Sequence, residues 1–296
     1  MMRSLGIDLA RQKTAAAKHK YGARVSAQKS IPIDEIFPEG IFRRGKLYSQ
    51  TWGFSDVNYS VASPQEQEGI FLKYRAVLNS LPPDAVTKIT IMNSRRNMEA
   101  LRHDVLIAAD SDGLDELRGD YNSMILDKSR RGNGIVQSKF ITVSADRARL
   151  SDARTFFARV GGDVRSSLSE LGSHVEELTA QTRLAALRGF LRQDDTGQLA
   201  VNLRDLARRG HDFKDVISPD RLEFKSDHFE IGSRFGRVLF LKGYPSFLRD
   251  SMIAEMTSAS VVLSLSIDVL PVPTDEAVRE TQKRIMSVES DITRHQ

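Results

Sequence analysis

A chain of 296 residues, 40% of them hydrophobic, is long enough to bury one large core or two smaller ones. It has no cysteine, which excludes disulfides and thiolate zinc sites and suits a reducing cytosol. No apolar stretch approaches the roughly 20 residues of a membrane-spanning helix, and residues 1–29 lack the apolar core of a secretory signal. The formal charge of +4 is uneven: residues 1–29 carry seven basic residues against Asp8 alone, and the rest of the chain is slightly acidic. The cations Arg11, Lys13, Lys18, Lys20, Arg24 and Lys29 read as a flexible basic tail that can meet nucleic acid or an anionic membrane face.

Order is expected from Ser30. Ile41–Arg44 and Leu47–Trp52 flank Gly45-Lys46 and read as a hairpin. Ser63-Pro64 starts a helix, with serine as N-cap and proline at the first helical position. Ile70, Tyr74, Val77 and Leu81 lie on one face of it, and Pro82-Pro83 stops it. Val86–Met92 reads as a strand returning to the hairpin. A helical region of roughly 30 residues should follow, ending in the turn at Gly132-Asn133-Gly134, and Ile135–Val143 is the next strand. Leu150, Ala153, Phe157, Val160, Val164, Leu168 and Leu171 form a helical stripe that stays in phase through Gly161-Gly162, so the glycines predict a loosened point, not a break. A shorter helix is expected over Thr179–Arg192, and a polar linker follows it.

The last third repeats this order. Phe229–Ile231 and Arg237–Leu241 read as a hairpin, Ser246–Thr257 as a helix, Ser260–Leu270 as a strand, and the chain from Thr274 as a helix with Val278, Thr281, Ile285, Val288 and Ile292 on one side. The expected fold class is α+β: antiparallel sheets backed by helices, in two related hairpin–helix–strand–helix modules. The expected divisions are a basic tail (1–29), a first module (30–192), a linker or exposed excursion (193–212) and a second module (213–296).

Motifs with chemistry are near misses. Gly40 and Gly45-Lys46 have the spacing of a phosphate-binding loop, but Leu47 stands where a hydroxyl should hold magnesium, and no helix N-terminus follows. Gly132-x-Gly134 lacks the third glycine of a dinucleotide fingerprint and reads as a turn. The apolar runs ending at Asp110 and Asp268 lack such a loop to serve. Asp110-x-Asp112-Gly113 matches part of a calcium loop, yet Ala108 and Gly119 fall at its first and last ligand positions, so helix-capping aspartates are expected. The six histidines have no metal spacing. Arg43 and Arg44 beside Phe42 could touch nucleic acid, or protect a sheet edge. A hidden carboxylate site, with Asp56 and Glu223 as its members, has no spacing to support it.

The order of short motifs is more informative. Ile31-Pro32, Gly40-Ile41, Tyr48, Asp56-x-Asn58-Tyr59, Leu78-Asn79, Tyr121, Gly134-Ile135, Lys139, Thr142, Arg183-Leu184, Ile217-x-Pro219, Ser264-x-Ser266-Ile267-Asp268 and Glu276-Ala277 run in one sequence over about residues 30–296. This set resembles the front of VirB-type conjugal transfer ATPases of type IV secretion systems, in the branch carried by integrative conjugative elements of Gram-positive bacteria. The resemblance implies the domain before the motor, with the ATP-binding loop and magnesium-binding strand farther downstream. The chain is then either an expressed domain or a truncated gene product. It implies no catalytic residues and no cofactor in this chain, ATP and magnesium belonging to the motor domain. The implied partners are inner-membrane subunits of the channel and further copies of the chain, at the cytoplasmic face of the membrane. The alternative is a stand-alone nucleic-acid-binding or scaffold protein that uses the basic tail, with DNA as a partner.

Overall fold

The computed structural model describes residues 26–59, 61–95, 106–131, 135–192, 203–208, 210–241 and 251–294. After one helical turn, α1 (Ala27–Ser30), the chain forms β1 (Glu35–Ile36), β2 (Phe42–Arg44) and β3 (Leu47–Phe54). Gly45 makes the β2–β3 turn possible. Its φ of 60° lies in the left-handed region, and its N–H donates to Asp34 Oδ2 at 2.6 Å. The helix α2 (Pro64–Ser80) starts at the expected cap, with a reciprocal capping box between Ser63 and Glu66. There follow β4 (Val86–Arg95), α3 (Asp115–Arg131), β5 (Ile135–Asp146), α4 (Leu150–Glu170), β6 (Val175–Glu177) and α5 (Ala180–Leu191). The final elements are α6 (Leu203–Arg208), α7 (Phe213–Ile217), β7 (Leu222–Phe224), β8 (Phe229–Ile231), β9 (Arg234–Gly236), α8 (Ser251–Thr257), β10 (Leu263–Val269) and α9 (Thr274–Arg294).

The main sheet is antiparallel, in the order β1-β2-β3-β5-β4-β10. The strand β6 pairs with Trp52–Phe54, the part of β3 that β2 leaves open. Strand alternation divides the sheet into two faces. One face carries Tyr48, Trp52, Ile141, Val143 and Ala145, and α2 and α4 close over it as the principal core. From α4 the buried side chains include Ala153, Phe157, Val160, Val164 and Leu168, which is the stripe read in the sequence. The helix runs unbroken through its glycines. Gly161 faces Trp52 so closely that a Cβ there would sit 3.1 Å from the indole, and Gly162 faces open space. On α2, Val77 is buried while Tyr74 is 42% exposed.

The opposite face is crossed by α5. Leu184 and Ala180 pack on Phe42 and Ile31, with Ile217 of α7 beneath them. Arg188 of α5 and Arg192, its C-cap, donate to the carbonyls of Val216 and Ser218 at 2.6 and 3.0 Å and fix α7 in place.

Several expectations change. The strand β4 does not return to the hairpin: β5 lies between β3 and β4. The helical region before β5 is α3 alone among the described residues, and Leu106–Leu114 is a loop in which Asp112 and Asp115 cap and bind Arg118. In the last third, β9 lies at Arg234–Gly236, Arg237–Leu241 forms no strand, and β7 completes a separate three-stranded sheet with β8 and β9. The repeated element order does not give each half its own copy of the first sheet, because β10 pairs along β4 as an edge strand. Asn93 reinforces that junction, its buried amide donating to the Thr257 carbonyl at 2.8 Å. Within the expected linker, Leu203–Arg208 is helical, and residues 193–202 lie outside the described residues. No helix among the described residues is long and apolar enough to cross a membrane.

Candidate functional site

Of the basic residues singled out in the sequence, Arg11, Lys13, Lys18, Lys20 and Arg24 lie outside the described residues. Lys29 sits exposed on α1. Arg43 and Arg44 are neighbours on β2. Arg43 is cross-strand from Glu35 and donates to its carboxylate at 2.6 Å, so its charge is answered. Arg44 is exposed and makes no hydrogen bond or ion pair among the described residues.

Gly132-x-Gly134 lies outside the described residues, and the near misses at residues 40–46 and 110–113 resolve into backbone geometry and ion pairs. Gly40 has φ of 91°, and a Cβ there would fall 1.9 Å from the Leu178 carbonyl oxygen. That glycine therefore serves a close backbone crossing, and the chain from 40 to 46 enters a hairpin instead of a helix. Asp115 accepts the N–H groups of Asp110 and Ser111 and also binds Arg118, and these bonds hold its carboxyl below the usual range. Asp112 is lowered likewise, chiefly by Arg118. Asp56 pairs with Lys139. Glu223 lies in the other sheet between Arg221 and Lys225, which hold its carboxyl at about 2. A carboxylate held that low is a poor general base at neutral pH. No group of three or more metal-ligating side chains occurs among the described residues.

Two features were not legible in the sequence. The first is a cavity of about 400 Å³ between α5 and the second face of the sheet. Strand register builds its floor. Ser49 is opposite Ser144, and Thr51 is opposite Thr142 with their hydroxyls 2.9 Å apart. Thr90 and Ser264 extend the floor on β4 and β10, and Arg183, Ala186, Leu187 and Phe190 of α5 form the wall. Arg183 is half-buried with its guanidinium 4.1 Å from the Phe42 ring. It donates to the carbonyls of Gly40 and Ser49 at 2.9 and 2.8 Å, and to Ser49 Oγ at 2.8 Å. All these acceptors are neutral. Burial pulls its pKa down to about 9, which leaves it protonated at neutral pH. The cavity lining holds Arg43, Arg44 and Arg183 and no aspartate or glutamate.

The second feature is exposed apolar surface. Phe235, Leu239 and Phe240 are 76%, 83% and 81% exposed, and Phe224 and Val238 are exposed with them. On α9, Val278, Ile285 and Met286 are exposed as well, and none of the hydrophobic clusters includes this helix. The apolar stripe of α9 was visible in the sequence; the exposure of its members Val278 and Ile285 was not.

Comparison with protein-family models gives no match, and comparison with curated proteins gives none.

Proposed function

We propose that this chain is a non-catalytic docking and assembly domain of a conjugative type IV secretion ATPase, which holds the motor against inner-membrane components of the channel. The observation that supports it is the uncovered apolar surface on the segment Phe235–Leu241 and on α9. Contiguous apolar patches of more than a few hundred Å² are uncommon on monomeric soluble proteins and mark interaction sites. A 21-residue helix with an apolar stripe, in neither hydrophobic cluster among the described residues, gains little from folding alone, and a partner surface that buries the stripe would stabilise it. The ordered motifs from Ile31 to Ala277 resemble that family, which supports the reading, and the ion-paired state of Asp56 and Glu223 fits a non-catalytic role. ATP and magnesium are assigned to a downstream motor domain, and the working place to the cytoplasmic face of the membrane.

The test is affinity for inner-membrane subunits of a type IV secretion channel, together with the mass of the chain in solution. Leu239→Ser with Phe240→Ser, and separately Val278→Ser with Ile285→Ser, should weaken channel binding or self-association by at least about tenfold. The thermal midpoint should stay within a few degrees, because these side chains are already exposed. A monomer that binds no channel subunit, or binding that both pairs leave unchanged, refutes the proposal. Reading the coding sequence past residue 296 for a complete phosphate-binding loop tests the family assignment independently.

A further inference from the structure

We propose that the cavity between α5 and the hydroxyl-bearing face of the main sheet binds an amphiphilic organic anion, a carboxylate with an apolar body, its head on Arg183 and Arg44.

The first argument is charge. Three guanidinium groups line the cavity and no carboxylate does. Glu35 answers Arg43, which leaves Arg183 and Arg44 without a counter-ion among the described residues. A guanidinium withdrawn from water, with only neutral acceptors, bears a desolvation penalty that an anion would offset. The second argument is unused hydrogen-bonding capacity. Arg183 has five N–H donors and the three bonds above engage three of them. A planar fork with free donors suits an oxyanion. On the floor, the hydroxyls of Thr90, Ser144 and Ser264 make no hydrogen bond among the described residues.

The third argument is the remaining lining. Phe140 and Met92 lie on the floor as cross-strand neighbours of Thr90 and Ser264, and Leu187 and Phe190 face the floor from α5, so the cavity has apolar lining beside its hydroxyls. An inorganic anion would leave that apolar lining unfilled. A volume of about 400 Å³ lies within the range that accommodates small organic ligands. The cavity opens beside Arg44 and Leu47, both exposed, so a ligand has a path in. Since Trp52, α2 and α4 lie on the opposite face of the sheet, occupancy need not disturb the principal core.

The experiment is a calorimetric titration of the full chain with octanoate at low ionic strength, with octanol and inorganic phosphate as separate arms. Octanoate should saturate at one equivalent and bind at least about tenfold more tightly than either control, since a charge-assisted fork and apolar burial both contribute. Arg44→Gln should weaken octanoate several-fold. Arg183→Gln should weaken it more, but Arg183 also ties α5 to Gly40 and Ser49, so that variant can fail to fold. Ala186→Phe provides the independent check: it places a ring in the cavity from the helix side and should abolish binding with the fold intact. Octanol binding as tightly as octanoate would overturn the role of the arginines. Phosphate binding as tightly would overturn the role of the apolar wall. Absence of binding at millimolar octanoate, or Ala186→Phe leaving the affinity unchanged, would overturn the site altogether.

Discussion

The adjacent glycines of α4 allow a sharp test of the principal core. Alanine at either position should gain roughly 1 kcal/mol of helix propensity over glycine. At Gly162 a Cβ meets nothing within 4 Å, so Gly162→Ala should raise stability by about 0.5–1 kcal/mol. At Gly161 the new methyl would lie 3.1 Å from both Cζ2 and Nε1 of Trp52, closer than ordinary van der Waals contact. Trp52 is fully buried between the sheet and α4 and has little room to retreat. Overpacking of this kind costs about 1–3 kcal/mol. The net effect of Gly161→Ala should therefore lie between about zero and 2 kcal/mol of destabilisation, and the two variants should differ by about 1–3 kcal/mol. Urea unfolding followed by fluorescence measures this directly, because Trp52 is the sole tryptophan and reports the packing being tested. If Gly161→Ala stabilises the protein as much as Gly162→Ala does, α4 does not rest on Trp52 as described.

Gly40→Ala should destabilise the fold by about 2–5 kcal/mol, combining a left-handed φ with a backbone clash at Leu178, and a urea midpoint near that of the unaltered protein would count against this crossing. Glu66 gives a pH-dependent prediction. Bonds from the Ser63 backbone N–H and hydroxyl lower its folded pKa, so its contribution is present above the unfolded value of about 4.3 and is lost as pH falls through the lowered folded value. Glu66→Gln should accordingly be less stable than the unaltered protein at pH 7, with the gap closing in acid; a gap independent of pH would mean that the capping box does not depend on the carboxylate.

The features legible in the sequence were those with local causes. Gly45-Lys46 marked the β2–β3 turn, Ser63-Pro64 marked the start of α2, and the spacing from Ala153 to Leu171 marked the buried side of α4. Strand order was not legible, because β5 enters between β3 and β4 through hydrogen bonds to residues far away in the chain. The segment Arg237–Leu241 has strand composition but pairs with nothing among the described residues, while Leu222–Phe224 is too short to announce itself and still completes a ladder with β8. Strand preference depends on the partner as much as on the residue. Arg183 illustrates the same limit for the site. In the sequence it is one of two arginines in a mostly apolar helix, and its place in a cavity arises only where α5 lies over the Ser/Thr face of a sheet assembled from four separate strands.

The register of β10 has a consequence for synthesis. Leu263 pairs with Asn93 across 170 residues of chain. At typical translation speeds, roughly ten to thirty seconds separate the appearance of the two strands. Once β5 has emerged it can occupy one side of β4, but until β10 arrives the other side keeps a seven-residue row of amides and carbonyls with nothing to bond. Ribosomes following one another along a single message would hold several such rows in close proximity, each able to accept a strand from its neighbour. The seventh strand is therefore a late-arriving seal, and the yield of correctly folded chain should depend on how quickly it is delivered.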